Sequence, residues 1–398
     1  MFGSLSESLY AKRQKINGEE STVGRGTIRK KPMNNLPSNV DELKKYYGTI
    51  LQGSADLKTS ACCSTGENLT PDIKAALANI NNSVLSHFYG CGSPLPPLLE
   101  GCTVLDLGCG SGRDVYLASQ LVGSGGHVIG VDMTEEQLKI ARKNRTWHMA
   151  RFGYVRPNVD FYHGYMEDLE SLGIRDNSID VVISNCVLNL SLSKRSVFGE
   201  IFRVLKPGGE LFFSDVFAGR RVPERFLADP MLHGECLAGA LYLEDFRRLL
   251  WDLGCPDYRI MDSLPIALDN PKVEQRIGMV DFYSVTVRAF KLTGLEYPCE
   301  DYGQMATYHG TISGWPHFFD LDDAHRFIAG KPTLVCGNTA AMLAETRYRD
   351  HFAIQGGRSV HFGPSECNCV PSIKSLIDGR TARNPANGGS EAGGGCCC

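Results

Sequence analysis

Three cysteines in separate segments sit where they can deliver soft ligands to one pocket. Cys186 closes the apolar run Val181-Val-Ile-Ser-Asn185, which reads as a strand. Cys236 stands in Gly234-Glu-Cys-Leu-Ala-Gly239, and Cys91 in Tyr89-Gly-Cys-Gly92. A thiol is a poor clamp for an oxygen or nitrogen acceptor, whereas thiolates select soft acceptors. Upstream, Val104-Leu-Asp-Leu-Gly-Cys-Gly-Ser-Gly112 places an acid and three alternating glycines behind another apolar run. Gly108 and Gly110 let the backbone turn sharply and approach a ligand where a Cβ would collide. A dinucleotide fingerprint needs glycine at its sixth place. Arg113 stands there, which disfavours NAD or FAD. Neither a His–Asp pair nor paired carboxylates offer themselves for general acid–base work.

The fifteen cysteines are an odd number and follow no secretory signal, so they read as reduced thiols rather than a disulfide framework. Cys102, Cys109, Cys255, Cys299 and Cys336 read as small buried hydrophobes. No pair of Cys-x-x-Cys motifs has zinc-ribbon spacing. Cys367-Asn-Cys369 is either a chelating pair or an exposed loop pair.

The elements that must position these groups alternate. Strands are expected at 103–107, 127–131, 159–163, 179–184 and 209–214, with helices between them, notably Glu135–Phe152 and Lys194–Leu205. This is the pattern of a parallel doubly wound sheet, which binds ligands at its carboxyl edge. Further helices are expected over Asp41–Leu51 and Pro71–Phe88, the latter capped by Thr70. The alternating run Phe282–Phe290 is expected to supply an antiparallel edge strand. Asp132 ends the second strand 26 residues after Asp106, where an acid can accept both ribose hydroxyls. With Arg203-Val-Leu-Lys-Pro-Gly-Gly209 before the fifth strand, these segments resemble the class I S-adenosylmethionine (SAM) methyltransferases, a Rossmann-like α/β fold.

Composition is that of a soluble enzyme: 42% hydrophobic, 22% charged and a net charge of −4. That balance gives no support to nucleic-acid binding. No apolar stretch approaches the ~20 residues of a membrane span, so a cytoplasmic location is expected. Five segments are expected: a disordered stretch 1–37, a helical cap with the SAM-binding core over 38–215, an arsenic-binding insertion with completion of the sheet over 216–292, a small domain over 293–375 and a flexible tail over 376–398. The insertion's assignment rests on the resemblance that follows.

Tyr46-Tyr-Gly48, Ser54-Ala-Asp-Leu-Lys-Thr59 with Cys62, and Tyr89-Gly-Cys-Gly92 open a longer series of motifs. It continues through Asp106-Leu-Gly-Cys-Gly-Ser-Gly-Arg-Asp114, Gly130-Val-Asp-Met-Thr134, Ser184-Asn-Cys-Val-Leu-Asn-Leu190, Ser214-Asp-Val216 and Gly234-Glu-Cys-Leu-Ala-Gly-Ala240. Over about 46–290 this series is similar to the arsenite methyltransferases of animals, algae and bacteria. The resemblance implies four functional cysteines, Cys62, Cys91, Cys186 and Cys236, with Cys63 beside Cys62 as a departure. It implies arsenite and methylarsenite as acceptors, held by Cys91, Cys186 and Cys236 with the arsenic lone pair aimed at the SAM methyl. It implies, too, a disulfide between Cys62 and Cys91 after transfer, reset by thioredoxin or glutathione as the thiol reductant.

For the cofactor, Gly108, Gly110 and Asp132 follow from loop geometry and ribose chemistry. Asp106 is expected to orient the methionine portion and Asn185 to meet its end. Met133 is expected to flank the adenine, Glu167 to accept its amino group, and Tyr89 to lie over the sulfonium, where a ring face attracts a cation. Two other readings stand beside this one. One is a methyltransferase for a sterol, quinone or similar small molecule; the other is a metalloid-sequestering protein without turnover.

Overall fold

The computed structural model describes residues 38–47, 71–90, 94–268, 270–278 and 280–366. Cys62, Cys63, Cys91, the expected cap Thr70, the 1–37 stretch and the 376–398 tail lie outside the described residues.

A seven-strand path with the order β3-β2-β1-β4-β5-β8-β7 forms the core of the molecule. Its parallel half comprises β1 (Thr103–Leu107), β2 (His127–Asp132), β3 (Val159–His163), β4 (Ile179–Asn185) and β5 (Leu205–Ala218). The first four match the expected spans within a residue: β1, β2 and β4 are apolar runs bounded by turn residues, as largely buried strands require, whereas β3 is a half-exposed edge strand. Helices α4 (Arg113–Val122), α5 (Glu135–Phe152) and α6 (Lys194–Val204) make the crossovers. Their buried faces close two apolar clusters, one on each side of the sheet. One includes Val115, Leu117 and Leu138; the other includes Phe198, Phe213 and Phe246.

Three expectations need correction. Phe282–Phe290, here β8, is antiparallel to β5 but lies inside the sheet, and β7 (Tyr258–Ile266) takes the edge. The segment Pro71–Phe88 is not one helix: α2 (Pro71–Leu77) ends, and α3 (Asn82–Leu85) starts afresh where the Asn81 side chain accepts from Ser83 N. An Asx cap of this kind competes with continuing the helix. Finally, β5 begins at Leu205 and bulges at Lys206-Pro-Gly-Gly209, since Ile179 pairs Leu205 while Val181 pairs Glu210. Gly208, at φ 77°, takes the bend.

Ahead of these comes α1 (Ser38–Lys45), and after β5 the chain runs through α7 (Pro230–Gly234), β6 (Leu241–Tyr242), α8 (Leu243–Asp252) and, following β7, α9 (Pro271–Ile277). The segment from 298 builds its own core. It contains β9 (Glu300–Asp301), β10 (Gln304–Tyr308), β11 (Phe318–Asp320), β12 (Arg326–Ile328), β13 (Pro332–Val335), α10 (Gly337–Ala344), β14 (Phe352–Gln355) and β15 (Gly363–Pro364). A three-stranded antiparallel sheet, β13-β10-β14, packs around Tyr308, Phe319, Phe327 and Tyr348. A buried ionic seam ties it to the main sheet. Arg288 of β8 donates to Glu210 of β5 at 2.5 Å and to Tyr348 at 2.9 Å, while Arg347 pairs with the same Glu210.

Candidate active site

The glycine loop after β1 is held from below by backbone bonds: Gly108 N donates to Val131 O at 2.8 Å and Cys109 N to the same oxygen at 3.1 Å. Gly108, Gly110 and Gly112 all hold positive φ, at 73°, 51° and 90°. Only glycine adopts these angles without strain. The two predicted glycines differ in surroundings. A Cβ on Gly108 would stand 2.3 Å from Val187 Cγ1, whereas one on Gly110 would meet nothing within 4 Å. Gly110 therefore borders open space at the carboxyl edge of the sheet, where ligands of open α/β folds bind.

Asp132 ends β2 and grips the loop. One carboxylate oxygen accepts from Gly110 N at 2.8 Å, the other from Thr134 N at 2.7 Å. Burial raises its pKa above the ordinary carboxylate value against the pull of those two N–H groups. Asp106 is buried beneath, and its pKa is pushed well up by burial and by its neighbours Asp114 and Asp132. Asp114, the second residue of α4, was not among the predicted site residues. It pairs with Arg113 at 2.7 Å and accepts from Asn185 Nδ2 at 3.0 Å, which ties the glycine loop to the end of β4. The signal available was its place in Gly-Arg-Asp: an acid in the first turn of the helix that follows the loop.

Met133 is half-buried against an apolar cluster that contains Cys186 and Cys236, and His163 hydrogen-bonds its carbonyl at 3.0 Å. Tyr89 meets the Tyr47 ring edge-on at 6.0 Å. Glu167 accepts from Ser191 Oγ, so this side chain is engaged with the segment after β4. Buried Gln137 Oε1 and Asn189 Oδ1 have no protein partner, the condition of atoms awaiting a ligand or water. Together with the Gly110 opening and the buried acids, this donor set fits SAM.

The two described cysteines of the predicted arsenic site lie on adjoining loops. Cys186 is 3% exposed and Cys236 is 0% exposed. Cys236 Sγ donates to Cys186 O at 3.0 Å. Both residues hold left-handed backbone, Cys186 at φ 55° and Cys236 at φ 62°, a conformation that strains non-glycine residues by ~1–2 kcal/mol each. The strain is held by hydrogen bonds on both loops: Cys186 N donates to Ser214 O at 2.8 Å, and Leu237 N and Ala238 N both bind Leu232 O. His233 joins the two loops through Leu190 O at 3.1 Å, and Lys194 braces the Cys186 segment through Asn189 O at 2.8 Å.

Cys186 is disulfide-bonded, while none of the six other described cysteines is in a disulfide. The expectation of reduced thiols therefore fails at this position. The strap after α1 covers the same region from the other side. Tyr46 Oη donates to Glu235 at 2.8 Å, Tyr47 Oη to Gly234 O at 2.5 Å, and Gln137 Nε2 to Tyr47 O at 3.1 Å.

Deeper still, Asp215 accepts from Asn189 Nδ2 at 2.7 Å and from Asn189 N at 3.1 Å. Burial lifts its pKa to about 6, and burial lowers that of Lys194 to about 8. Lys194 also interacts electrostatically with Cys236, Asp215 and Glu167. Asp215 stands in the Ser214-Asp-Val216 motif but was not singled out as a site residue, and Lys194 gave no sequence signal beyond its type.

Comparison with known proteins follows the same lines. A methyltransferase domain model matches residues 98–255, and the arsenite methyltransferase C-terminal domain model matches 302–398. The chain is 50% identical over 323 residues to the arsenite methyltransferase of Aquipseudomonas alcaligenes, covering 81% of this chain and 92% of that protein. The chain belongs to the arsenite methyltransferase family. It is also 41% identical to the human arsenite methyltransferase over 79% of this chain and 83% of that one. Among solved structures, the arsenic (III) S-adenosylmethionine methyltransferase of Chlamydomonas reinhardtii superposes with a TM-score of 0.72 at 47% identity, covering 75% of this chain and all of that one. The class I methyltransferase fold expected from the sequence is thereby established. Among the described residues no helix is long and apolar enough to cross a membrane.

Proposed function

We propose that this enzyme transfers methyl groups from SAM to arsenite and methylarsenite, with Cys186 and Cys236 as arsenic ligands and Cys91 as the third. The observation that carries the assignment is the 3.0 Å contact between the Cys236 thiol and the Cys186 carbonyl at the cofactor edge of the sheet. Bound SAM supplies an electrophilic methyl group. Asp132, Gly110 and Asp106 hold the cofactor loop in place; Met133, Glu167, Asn185 and Tyr89 line its remaining sides. The cysteine loops present arsenic with its lone pair toward the methyl, so the protein's contribution is chiefly orientation. Trivalent arsenic carries no proton to remove, which accounts for the lack of a general base in the sequence reading.

Methyl transfer raises arsenic formally to the pentavalent state. Two thiols, Cys62 and Cys91 in this reading, return two electrons by closing a disulfide, and an external thiol such as thioredoxin or glutathione reopens it. Cys186 is disulfide-bonded, and its sulfur must be freed by the thiol reductant before it ligates arsenic. The proposed organisation is a cap and core over 38–215, an insertion over 216–292 and a small domain over 293–375. The test is incubation of the full chain with SAM, arsenite and glutathione or reduced thioredoxin. Methylated arsenic supports the reading. Arsenite binding without product would identify a sequestering protein instead, and neither binding nor product would point to another acceptor.

A further inference from the structure

Far along the chain from the cofactor loop, Cys299 and Cys336 form a second thiol pair. Neither is in a disulfide, and they pack on each other as a cluster of two, apart from the apolar core of their own domain. The two side chains hydrogen-bond to one another. They are buried, as the sequence suggested, and polar groups surround them. Cys299 Sγ lies 3.7 Å from Asp257 Oδ2 and 3.6 Å from Asn338 Nδ2. Cys336 caps α10: its sulfur accepts from Thr339 N at 3.4 Å and lies 3.2 Å from Thr339 Oγ1. Arg259, fixed by Asp257 and Asp322, donates to the same threonine at 3.2 Å.

Cys299 is 3% exposed and Cys336 1%, against 3% and 0% for Cys186 and Cys236. Burial thus separates this pair no further from small solutes than the catalytic thiols. The contact between the two sulfurs, helped by Arg259 and the start of α10, lowers the Cys336 pKa well below that of an ordinary thiol and raises that of Cys299 well above it, so the proton of the pair stays on Cys299 until a ligand displaces it. A sulfur held near its thiolate form is the better soft ligand.

We infer that Cys299 and Cys336 are a second arsenic-binding site, one that takes a monomethylated trivalent arsenical as a dithiolate away from the transfer site. The stoichiometry of the ligand matches a pair: methylarsenite has one arsenic valence occupied by carbon and two that exchange. The reaction is CH3As(OH)2 + 2 RSH → CH3As(SR)2 + 2 H2O. Two As–O and two S–H bonds break, two As–S and two O–H bonds form, and no oxidation state changes. The inference rests on the arsenic reading above, because it takes its ligand from that chemistry.

The test compares the wild-type full chain with the double variant C299A/C336S, using methylarsenite as the probe and native mass spectrometry as the readout. Serine at 336 preserves the helix cap, since its hydroxyl accepts from the same N–H. Alanine at 299 keeps a small apolar group. Neither residue belongs to the transfer machinery, so arsenite turnover should be retained and serves as the check on folding. The double variant should bind one methylarsenic fewer per chain than the wild type. Equal stoichiometry with turnover intact would overturn this inference and leave the proposed function standing. A wild type that neither methylates arsenite nor binds methylarsenite would overturn both. If the double variant loses turnover, C336S alone with intact turnover repeats the comparison under the same criterion.

Discussion

The Cys236 thiol and the Cys186 carbonyl meet at 3.0 Å across two loops that enter the site from different parts of the chain. Each loop bends at its cysteine into left-handed backbone. Outside glycine, such angles persist only where the surroundings fix them. Here one fixing contact runs from one loop to the other, through His233 to Leu190 O, while Lys194 braces the Cys186 segment from within through Asn189 O and Ser191 O. The two sulfur-bearing positions are therefore set as a unit before any ligand arrives, the preorganisation that an orientation-driven transfer needs.

It follows that Cys186→Ser and Cys236→Ser should each lower methylation of both arsenite and methylarsenite by about a hundredfold or more, the scale of loss when a reacting centre is misplaced. A serine is a hard and poorly ionised ligand. SAM affinity, measured by calorimetry, should change little, because the cofactor loop is held by Asp132 and Val131. Full turnover in Cys186→Ser would remove that residue from the ligand set.

Cys62 and Cys91 should behave differently. If they serve the redox step and the third ligand position, their serine variants should lose arsenite methylation and keep much of the methylarsenite reaction, in which two thiolates suffice. Parallel product curves on the two substrates decide it. Equal loss on both would place these thiols in the common step.

Asp215 gives the chain a measurable pH signature. Its folded pKa, about 6, lies above its unfolded value, so the folded state holds the proton more tightly. Its contribution to stability is thus greatest at low pH and declines as pH rises from about 4 through about 6, by at most ~3 kcal/mol. Lys194, with its folded pKa lowered to about 8, works the other way: its contribution recovers as pH rises from about 8 toward its ordinary value. Together the two groups place a trough between about pH 6 and 8. Urea unfolding of wild type and Asp215→Asn at steps from pH 4.5 to 7 should show the variant with the shallower decline. Identical slopes would assign the pH dependence to other groups.

Much of this was legible in the sequence wherever a physical requirement confines residue type. Apolar runs bounded by turn residues located β1, β2 and β4, and the alternating glycines located the cofactor loop, because few other residues satisfy those demands. The position of β8 was not legible. Its alternation marked an antiparallel strand, but edge or interior depends on whether Tyr258–Ile266 pairs with it, a long-range choice that no local pattern encodes. The left-handed angles at Cys186 and Cys236 were hidden for a related reason: a non-glycine residue carries no mark of the contacts that force it there. Cys299 and Cys336 were read as buried, but their pairing was not legible, because they are 37 residues apart and reach each other only once β13 and α10 are in place.

The two glycines of the cofactor loop should separate binding from stability. At Gly110, an added methyl enters open space at φ 51°. Its conformational penalty is ~1–2 kcal/mol, and the methyl stands where the cofactor must approach. Gly110→Ala should therefore keep a cooperative unfolding transition, slightly weakened, and bind SAM at least tenfold less tightly. At Gly108 the added methyl collides with Val187, the neighbour of Cys186, at 2.3 Å. That collision pushes on the arsenic loop as well as on the cofactor loop. Gly108→Ala should then lose more stability than Gly110→Ala, and should keep a lower kcat at saturating SAM and arsenite. Calorimetric SAM titration, thermal unfolding and turnover on the two variants make the comparison. If Gly108→Ala recovers wild-type kcat at saturating SAM, the mechanical link from cofactor loop through Val187 to Cys186 does not exist.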